Sequence, residues 1–316
     1  EEAEVFRMPD FSEIPPGPPV ELSAAQQDVF EGLCGLLHKD TAAAALLYGV
    51  TGSGKTSVYL KLIAETLSMG RTAIVLVPEI GLTPQAIRVF VGQFGGKVAL
   101  LHSALSTGER YDSWKRIRSG ACTVVVGTRS AIFAPVENLG LVIIDEEQDG
   151  AYCSEQSPRY HARDVAKYLV GRSRGLLVLG SATPSVESYY AGKQGKYPIF
   201  RLSERFMGTP MPEVTVADLR GELRQGNGGS IAAALQEALA NNLASGRQSI
   251  LFLNRRGNSR TIGCPQCGWV PECPSCTSTL TYHSVNSRAM CHYCGFSLKI
   301  TGICPSCGGE HLFTET

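Results

Sequence analysis

The feature that most restricts the fold of this 316-residue chain is an octapeptide, Gly49-Val50-Thr51-Gly52-Ser53-Gly54-Lys55-Thr56. It lies between a continuous apolar run, Ala43 to Tyr48, and apolar residues at helical spacing through Leu60, Ile63 and Leu67. Strand, glycine loop and helix in that order form the phosphate loop G-x-x-x-x-G-K-T. The glycines free main-chain N–H groups to surround phosphate oxygens, and the helix turns the positive end of its dipole toward them. Lys55 is then placed to neutralise charge on β- and γ-phosphates, and Thr56 to ligate Mg2+. Gly49, Thr51, Gly52, Ser53, Gly54, Lys55 and Thr56 are therefore the candidate ATP and Mg2+ residues.

Further buried-strand patterns recur at Thr72 to Val77, Lys97 to Leu101, Cys122 to Val126, Leu141 to Ile144 and Leu176 to Leu179, most of them separated by helical segments. Such alternation predicts an α/β lobe, a parallel sheet with helices on both faces and ligands at the carboxyl ends of its strands. The run Leu141 to Ile144 ends in Asp145-Glu146-Glu147-Gln148. In a phosphate-loop protein an acidic pair at a strand end completes a hydrolytic site, with Asp145 holding the metal and Glu146 orienting and deprotonating water. Lys55, Asp145 and Glu146 form the candidate catalytic set. Ser181 and Thr183, in Gly180-Ser181-Ala182-Thr183-Pro184-Ser185, stand at another strand end where hydroxyls sense the nucleotide site. Tyr152, Arg159, Tyr160, His161 and Arg163 mix rings and cations just after the acidic motif. Rings stack on unpaired bases and arginines hold phosphates, so this loop suits single-stranded nucleic acid, with core packing as the alternative.

The chain is long enough for about two domains. With 29 basic and 29 acidic side chains it has no global field, so any nucleic-acid contact relies on local patches. Its uncharged stretches fall short of the roughly 20 residues of a membrane span, and Glu1, Glu2 and Glu4 open no secretory leader. The expectation is a soluble, cytoplasmic protein without a membrane partner. Residues 1–20, with Pro9, Pro15, Pro16, Pro18 and Pro19, read as a linker, followed by a helix from Leu22 to Leu37 capped by Ser23.

Eight of the eleven cysteines form C-x-x-C pairs: Cys264/Cys267, Cys273/Cys276, Cys291/Cys294 and Cys304/Cys307. Without an export signal disulfides are not expected, and each pair is a knuckle that supplies two thiolates to tetrahedral zinc. Four knuckles make two sites and can be matched in three ways. The fourteen residues between Cys276 and Cys291 favour nesting: Cys273, Cys276, Cys291 and Cys294 on one Zn2+, and Cys264, Cys267, Cys304 and Cys307 on the other. Saturated four-cysteine sites leave no open position, so the expected role is structural. His283 and His292 are minor alternative ligands. Cys34, Cys122 and Cys153 read as packing residues. Arg255, Arg256, Arg260, Arg288 and Lys299 lie in or near this region, either against nucleic acid or on a solvated surface.

Together these segments, with Val77-Pro78-Glu79-Ile80-Gly81-Leu82-Thr83-Pro84-Gln85, Gly127-Thr128-Arg129-Ser130-Ala131-Ile132-Phe133-Ala134-Pro135, Pro158-Arg159-Tyr160-His161-Ala162-Arg163-Asp164 and Leu253-Asn254-Arg255-Arg256-Gly257, closely resemble the PriA family of bacterial primosomal replication-restart DNA helicases. The resemblance covers about residues 20 to 316. It implies a RecA-like helicase lobe at 21–196 and the start of a second lobe at 197–262. A zinc-binding insertion at 263–310 and a return into the second lobe at 311–316 would follow. It implies an ATP-dependent superfamily-two helicase moving 3′ to 5′ on single-stranded and forked DNA. Its expected partners are primosome proteins, single-stranded DNA-binding protein and factors that load the replicative helicase. Gln26 would read the adenine, Arg129 and the Tyr152–Arg163 loop would meet DNA and couple it to hydrolysis, and the zinc sites would be nested.

Position 148 departs from the family's pattern, carrying Gln where His is common; Gln can still hydrogen-bond between nucleotide and lobe interface, as a coupling residue should. Late second-lobe motifs with their arginine finger, and an amino-terminal fork-binding domain, are expected outside the sequence. This leads to the expectation of a fragment that binds ATP far better than it hydrolyses it. The competing function is a non-motor adaptor in which nucleotide binding is a switch and the zinc module docks proteins or nucleic acid.

Overall fold

The computed structural model describes residues 14–39, 41–78, 84–155, 157–205, 212–219, 221, 231–252, 261–276, 278–283, 286–310 and 312–315. The expected Leu253–Gly257 segment, with Arg260, most of the 1–20 linker, and Glu79–Thr83 lie outside them. The chain divides into two units, Glu1–Met211 and Pro212–Thr316.

The first unit is built on seven parallel strands: β1 (Ala43–Gly49), β2 (Thr72–Leu76), β3 (Val98–Leu101), β4 (Val124–Gly127), β5 (Leu139–Ile144), β6 (Leu176–Ser181) and β7 (Ile199–Leu202). Their order is β3-β4-β2-β5-β6-β1-β7, all pairs parallel. The helices are α1 (Ala24–Leu37), α2 (Lys55–Ser68), α3 (Pro84–Phe94), α4 (Thr107–Arg118), α5 (Ala162–Ser173) and α6 (Val186–Lys193).

Alternation along the strands explains the two-sided cover. Leu141 and Ile143 of β5 pack with Val29, Leu33, Val58 and Ile63 of α1 and α2, whereas Val142 and Ile144 pack with Ile117 of α4 and Ala166 and Val170 of α5. Successive side chains of a strand point to opposite faces, so a strand buried on both must be apolar throughout, as β5 is. Ser23 caps α1 reciprocally with Gln26, in the place the sequence gives for the helix start.

One boundary differs from expectation. Residues 199–202 complete the first sheet by pairing Leu46–Gly49 with Ile199–Leu202, so the first unit runs past 196. The four-residue strand is half exposed and lacks the apolar run that marks the inner strands.

Among its described residues the second unit has a helix, Ala233–Ala244, and five short strands: β8 (Thr261–Gly263), β9 (Thr281–His283), β10 (Arg288–Met290), β11 (Ser297–Lys299) and β12 (Phe313–Glu315). Strands β9, β10 and β11 form an antiparallel sheet, and β12 pairs antiparallel with β8. The segment between β8 and β12 therefore leaves and returns at adjacent points.

Candidate nucleotide site and cysteine centres

The phosphate loop bridges β1 and α2. Gly52 and Gly54 take φ of 80° and 78°, a region that penalises any Cβ. Gly54 is the N-cap of α2 and offers no side-chain cap, which leaves the first N–H groups of the helix open to an anion. Ser53 Oγ is buried with no hydrogen-bond partner among the described residues. A buried hydroxyl without a partner beside bare amides is the donor set a phosphate would satisfy. Lys55 Nζ donates to Gly49 O at 2.9 Å across the loop mouth and stands 3.9 Å from Glu146 Oε1.

Gln26 is 1% exposed, its Oε1 accepting from Ser23 N at 2.9 Å and its Nε2 donating to Ser53 O at 2.8 Å. The residue expected to read adenine thus ties α1 to the phosphate loop. Thr56, Asp145, Glu146 and Gln148 line one cavity of about 660 Å³ with Tyr59, Pro78 and Phe90.

Asp145 and Glu146 follow directly from β5. Glu146 has φ of 47°, costly for a residue with a Cβ and concentrated where function fixes the backbone. Burial raises the Asp145 pKa above the ordinary carboxylate value, opposed by the hydroxyl of Tyr59, which donates to Oδ1 at 2.9 Å. A Cβ at Gly180 would collide with that hydroxyl, so Gly180 makes room for it. Sequence reasoning missed Tyr59, whose one signal was its place in the first turns of the helix after the phosphate loop.

Ser181 Oγ donates to Gln148 Oε1 at 2.6 Å, and Gln148 Nε2 donates to Glu146 Oε2 at 2.9 Å. Thr183 joins through its main-chain N–H, which donates to Ser181 Oγ at 2.8 Å. An amide has both a donor and an acceptor, so Gln at this position connects the two strand ends without a titratable ring.

The residues expected against DNA separate into two groups. Tyr152 is 1% exposed, and its hydroxyl donates to Asp145 O at 2.6 Å and Leu76 O at 3.1 Å. This corrects the stacking expectation: the ring belongs to the core between β2 and α5, with no free face for a base. Arg163 also points inward, its Nη1 reaching Ser188 Oγ at 2.8 Å and Glu147 Oε2 at 3.3 Å. His161 caps α5, its Nδ1 accepting from Arg163 N at 3.2 Å, and burial followed by the charge of Arg163 lowers its pKa. A neutral cap is a poor phosphate ligand, so neither Arg163 nor His161 presents charge to DNA.

Arg129, Arg159 and Tyr160 remain near the surface. The Arg129 guanidinium lies 5.7 Å from the Tyr160 ring centroid and donates to Ala151 O at 3.1 Å and to Cys153 O. Phe133, unassigned from sequence although inside the Gly127–Pro135 segment, is 55% exposed and meets Tyr160 edge-on at 5.0 Å. Beside them a cavity of about 260 Å³ is lined by Ser103, Thr128, Arg129 and Ser130.

In the second unit the cysteines gather in two groups: Cys264, Cys267, Cys304 and Cys307, and Cys273, Cys276, Cys291 and Cys294. Sγ atoms of Cys264 and Cys307, and of Cys267 and Cys304, are 3.6 Å apart; those of Cys273 and Cys294 are 3.5 Å apart. Tetrahedral zinc with bonds of about 2.3 Å would set such separations near 3.8 Å, so both donor sets fit. Gly268, Gly295 and Gly308 have φ of 72°, 77° and 71°, and each donates to the carbonyl of the first cysteine of its knuckle at 2.9 Å. His283 and His292 join neither group. Cys34 and Cys122 are held as thiols, the former with its pKa raised to about 11, chiefly by burial.

Residues 23–190, more than half the chain, match the DEAD/DEAH box helicase family, and residues 273–299 match the PriA DNA helicase Cys-rich region domain. The chain is 47% identical over 294 residues to replication restart protein PriA of Bacillus subtilis, spanning 93% of this chain and 36% of that protein. Its Synechocystis counterpart is 46% identical over 84% of this chain and 33% of that protein, and the Haemophilus influenzae one 44% identical over 85% and 36%. The chain spans about a third of the length of these relatives. No helix among the described residues is long and apolar enough to cross a membrane. The chain belongs to the DEAD/DEAH box helicase family and is similar over most of its own length to the replication restart proteins PriA.

Proposed function

We propose that this chain carries the ATP-hydrolysing lobe and the two-zinc module of a 3′ to 5′ DNA helicase that acts at stalled forks in replication restart. The observation that supports it most is the approach of Lys55 Nζ to Glu146 Oε1, 3.9 Å, where Glu146 lines one cavity with Thr56 and Asp145. In this reading the α2 amides and Lys55 hold the phosphates of ATP. Thr56 and Asp145 hold Mg2+, which when bound neutralises charge developing on the phosphoryl oxygens. Glu146 takes the proton of the attacking water, and Gln148 ties it to Ser181 so that the second strand end follows its state. Gln26 reports the phosphate loop to α1.

Arg129, Arg159, Tyr160 and Phe133 offer cations and rings to single-stranded DNA at the strand ends. Zn2+ in each four-cysteine group holds the module closed. Pairing of β8 with β12 supports its reading as an insertion over 263–310, with 311–316 returning to the second lobe. The lobe boundary then lies after Leu202, and the second lobe begins beyond it. Primosome proteins, single-stranded DNA-binding protein and helicase-loading factors are the partners this reading carries, in the cytoplasm.

ATPase assays on the full-length gene product with and without single-stranded DNA, joined to unwinding of forked duplexes with 3′ or 5′ tails, test it. Stimulation by DNA and unwinding from 3′ tails support the reading; nucleotide binding with no stimulated turnover contradicts it.

A further inference from the structure

Glu147 is fully buried at its side chain, a rare position for a carboxylate, and four contacts from three residues in two parts of the chain hold it. Oε1 accepts from Ser185 N at 2.7 Å. Oε2 accepts from Ser188 Oγ at 2.8 Å, Ser185 Oγ at 3.2 Å and Arg163 Nη1 at 3.3 Å. Ser185 caps α6 just after the Ser181–Pro184 turn, and Arg163 opens α5 at the end of the Tyr152–Arg163 loop. The other end of that loop is fixed to the acidic motif as well, through the Tyr152 hydroxyl on Asp145 O.

The loop is thus fastened at both ends to the segment that contains Glu146. From Arg163 the connection runs through Glu147 to Ser185 and the Ser181 turn, then through Gln148 to Glu146. We propose that the Glu147–Arg163 ion pair is a positioning link, through which the Tyr152–Arg163 loop sets the Ser181–Ser185 turn and Glu146 for DNA-stimulated hydrolysis. This rests on the helicase reading above.

Two features distinguish a moving link from a fixed prop. Arg163 engages Glu147 through one nitrogen at 3.3 Å, longer than the usual charge-assisted bond. Its Nε is buried with no hydrogen-bond partner among the described residues. A guanidinium with a spare buried donor beside a carboxylate has a second, two-pronged arrangement within a small rotation, and loop displacement supplies that rotation. Direct contact of Arg163 with DNA is disfavoured by its inward side chain, 18% exposed.

The test compares Glu147→Gln and Arg163→Lys in the full-length gene product. ATPase is measured with and without an oligo-dT strand, KM for ATP is fitted, and oligo-dT affinity is read by fluorescence anisotropy. The ratio of stimulated to basal rate should fall about tenfold in each, with KM and DNA affinity within about threefold of wild type. Lysine should fail because it has no second prong. The double variant should be no worse than the poorer single one. Where a charge variant melts below the assay temperature, Ser188→Ala carries the test, with an expected fall of about threefold. Full stimulation in Arg163→Lys, parallel loss of basal and stimulated rates, or DNA affinity falling in step with rate each overturn the proposal. A wild-type protein that DNA does not stimulate overturns instead the helicase reading beneath it.

Discussion

Lys55, which follows β1, and Glu146, which follows β5, stand on either side of β6 in the sheet order and approach to 3.9 Å at the carboxyl ends of the strands. The lysine is steadied by the Gly49 carbonyl and the glutamate by the Gln148 amide, so each charge has a second partner that fixes its direction. Held this way, Lys55 and Glu146 would need little reorganisation to serve the proposed roles of cation for phosphate and base for water.

Glu146→Gln keeps the volume of the side chain and one acceptor oxygen for the Gln148 amide, and removes its charge and basicity. ATP affinity is expected to stay within about threefold of wild type while turnover falls by about 10² to 10⁴. Equilibrium binding of a fluorescent ATP analogue and single-turnover hydrolysis separate the two.

Burial of Asp145, the proposed Mg2+ ligand, costs stability when its carboxylate is ionised. Its folded pKa lies above the ordinary 3.8, so the folded chain binds the proton more tightly than the unfolded chain. Its favourable contribution is full below the unfolded value and is lost as pH rises through the folded one. Asp145→Asn should therefore raise the melting temperature by on the order of 2–4 °C at neutral pH without nucleotide or Mg2+, with a smaller gain in acid. Calorimetry across pH checks the sign, and hydrolysis should be abolished.

Gln148 joins Ser181 to Glu146 through both ends of one amide. Gln148→Ala should lower hydrolysis about tenfold with little change in KM for ATP. Gln148→His should retain most of the activity, because an imidazole also offers a donor and an acceptor. Steady-state kinetics on the two variants suffices.

The cysteine grouping gives a count. The chain should bind two zinc ions, and Cys264→Ser with Cys304→Ser, both in one group, should leave one. Cys264→Ser with Cys273→Ser, one in each group, should leave none tightly bound. Elemental analysis after dialysis reads the number. Chelation should unfold the module, since such sites contribute on the order of 10 kcal/mol to folding.

How much of this was legible in the sequence follows from how local each signal is. The phosphate loop, the acidic strand end and the cysteine knuckles are contiguous patterns whose chemistry dictates their geometry, and the inner strands announce themselves by unbroken apolar runs. Tyr152 and Tyr160 stand in one loop with similar neighbours, yet one ring is buried against Leu76 and the other meets Arg129 near the surface. Composition cannot tell an inward ring from an outward one. Glu147 reads as a third acid in a row until Ser185, Ser188 and Arg163 are brought to it. Tyr59 likewise acquires a role only when β5 places Asp145 beside it. The strand β7 lacks a distinct apolar run, so its membership in the first sheet comes from pairing with β1.

The most direct measurement of the central claim is titration of Mg-ATP into the wild-type chain and its Lys55→Ala and Glu146→Gln variants by calorimetry. If both side chains serve one triphosphate, Lys55→Ala loses at least about tenfold in affinity, and Glu146→Gln binds as wild type while failing to hydrolyse. Undiminished binding by Lys55→Ala, or wild-type turnover by Glu146→Gln, would contradict it.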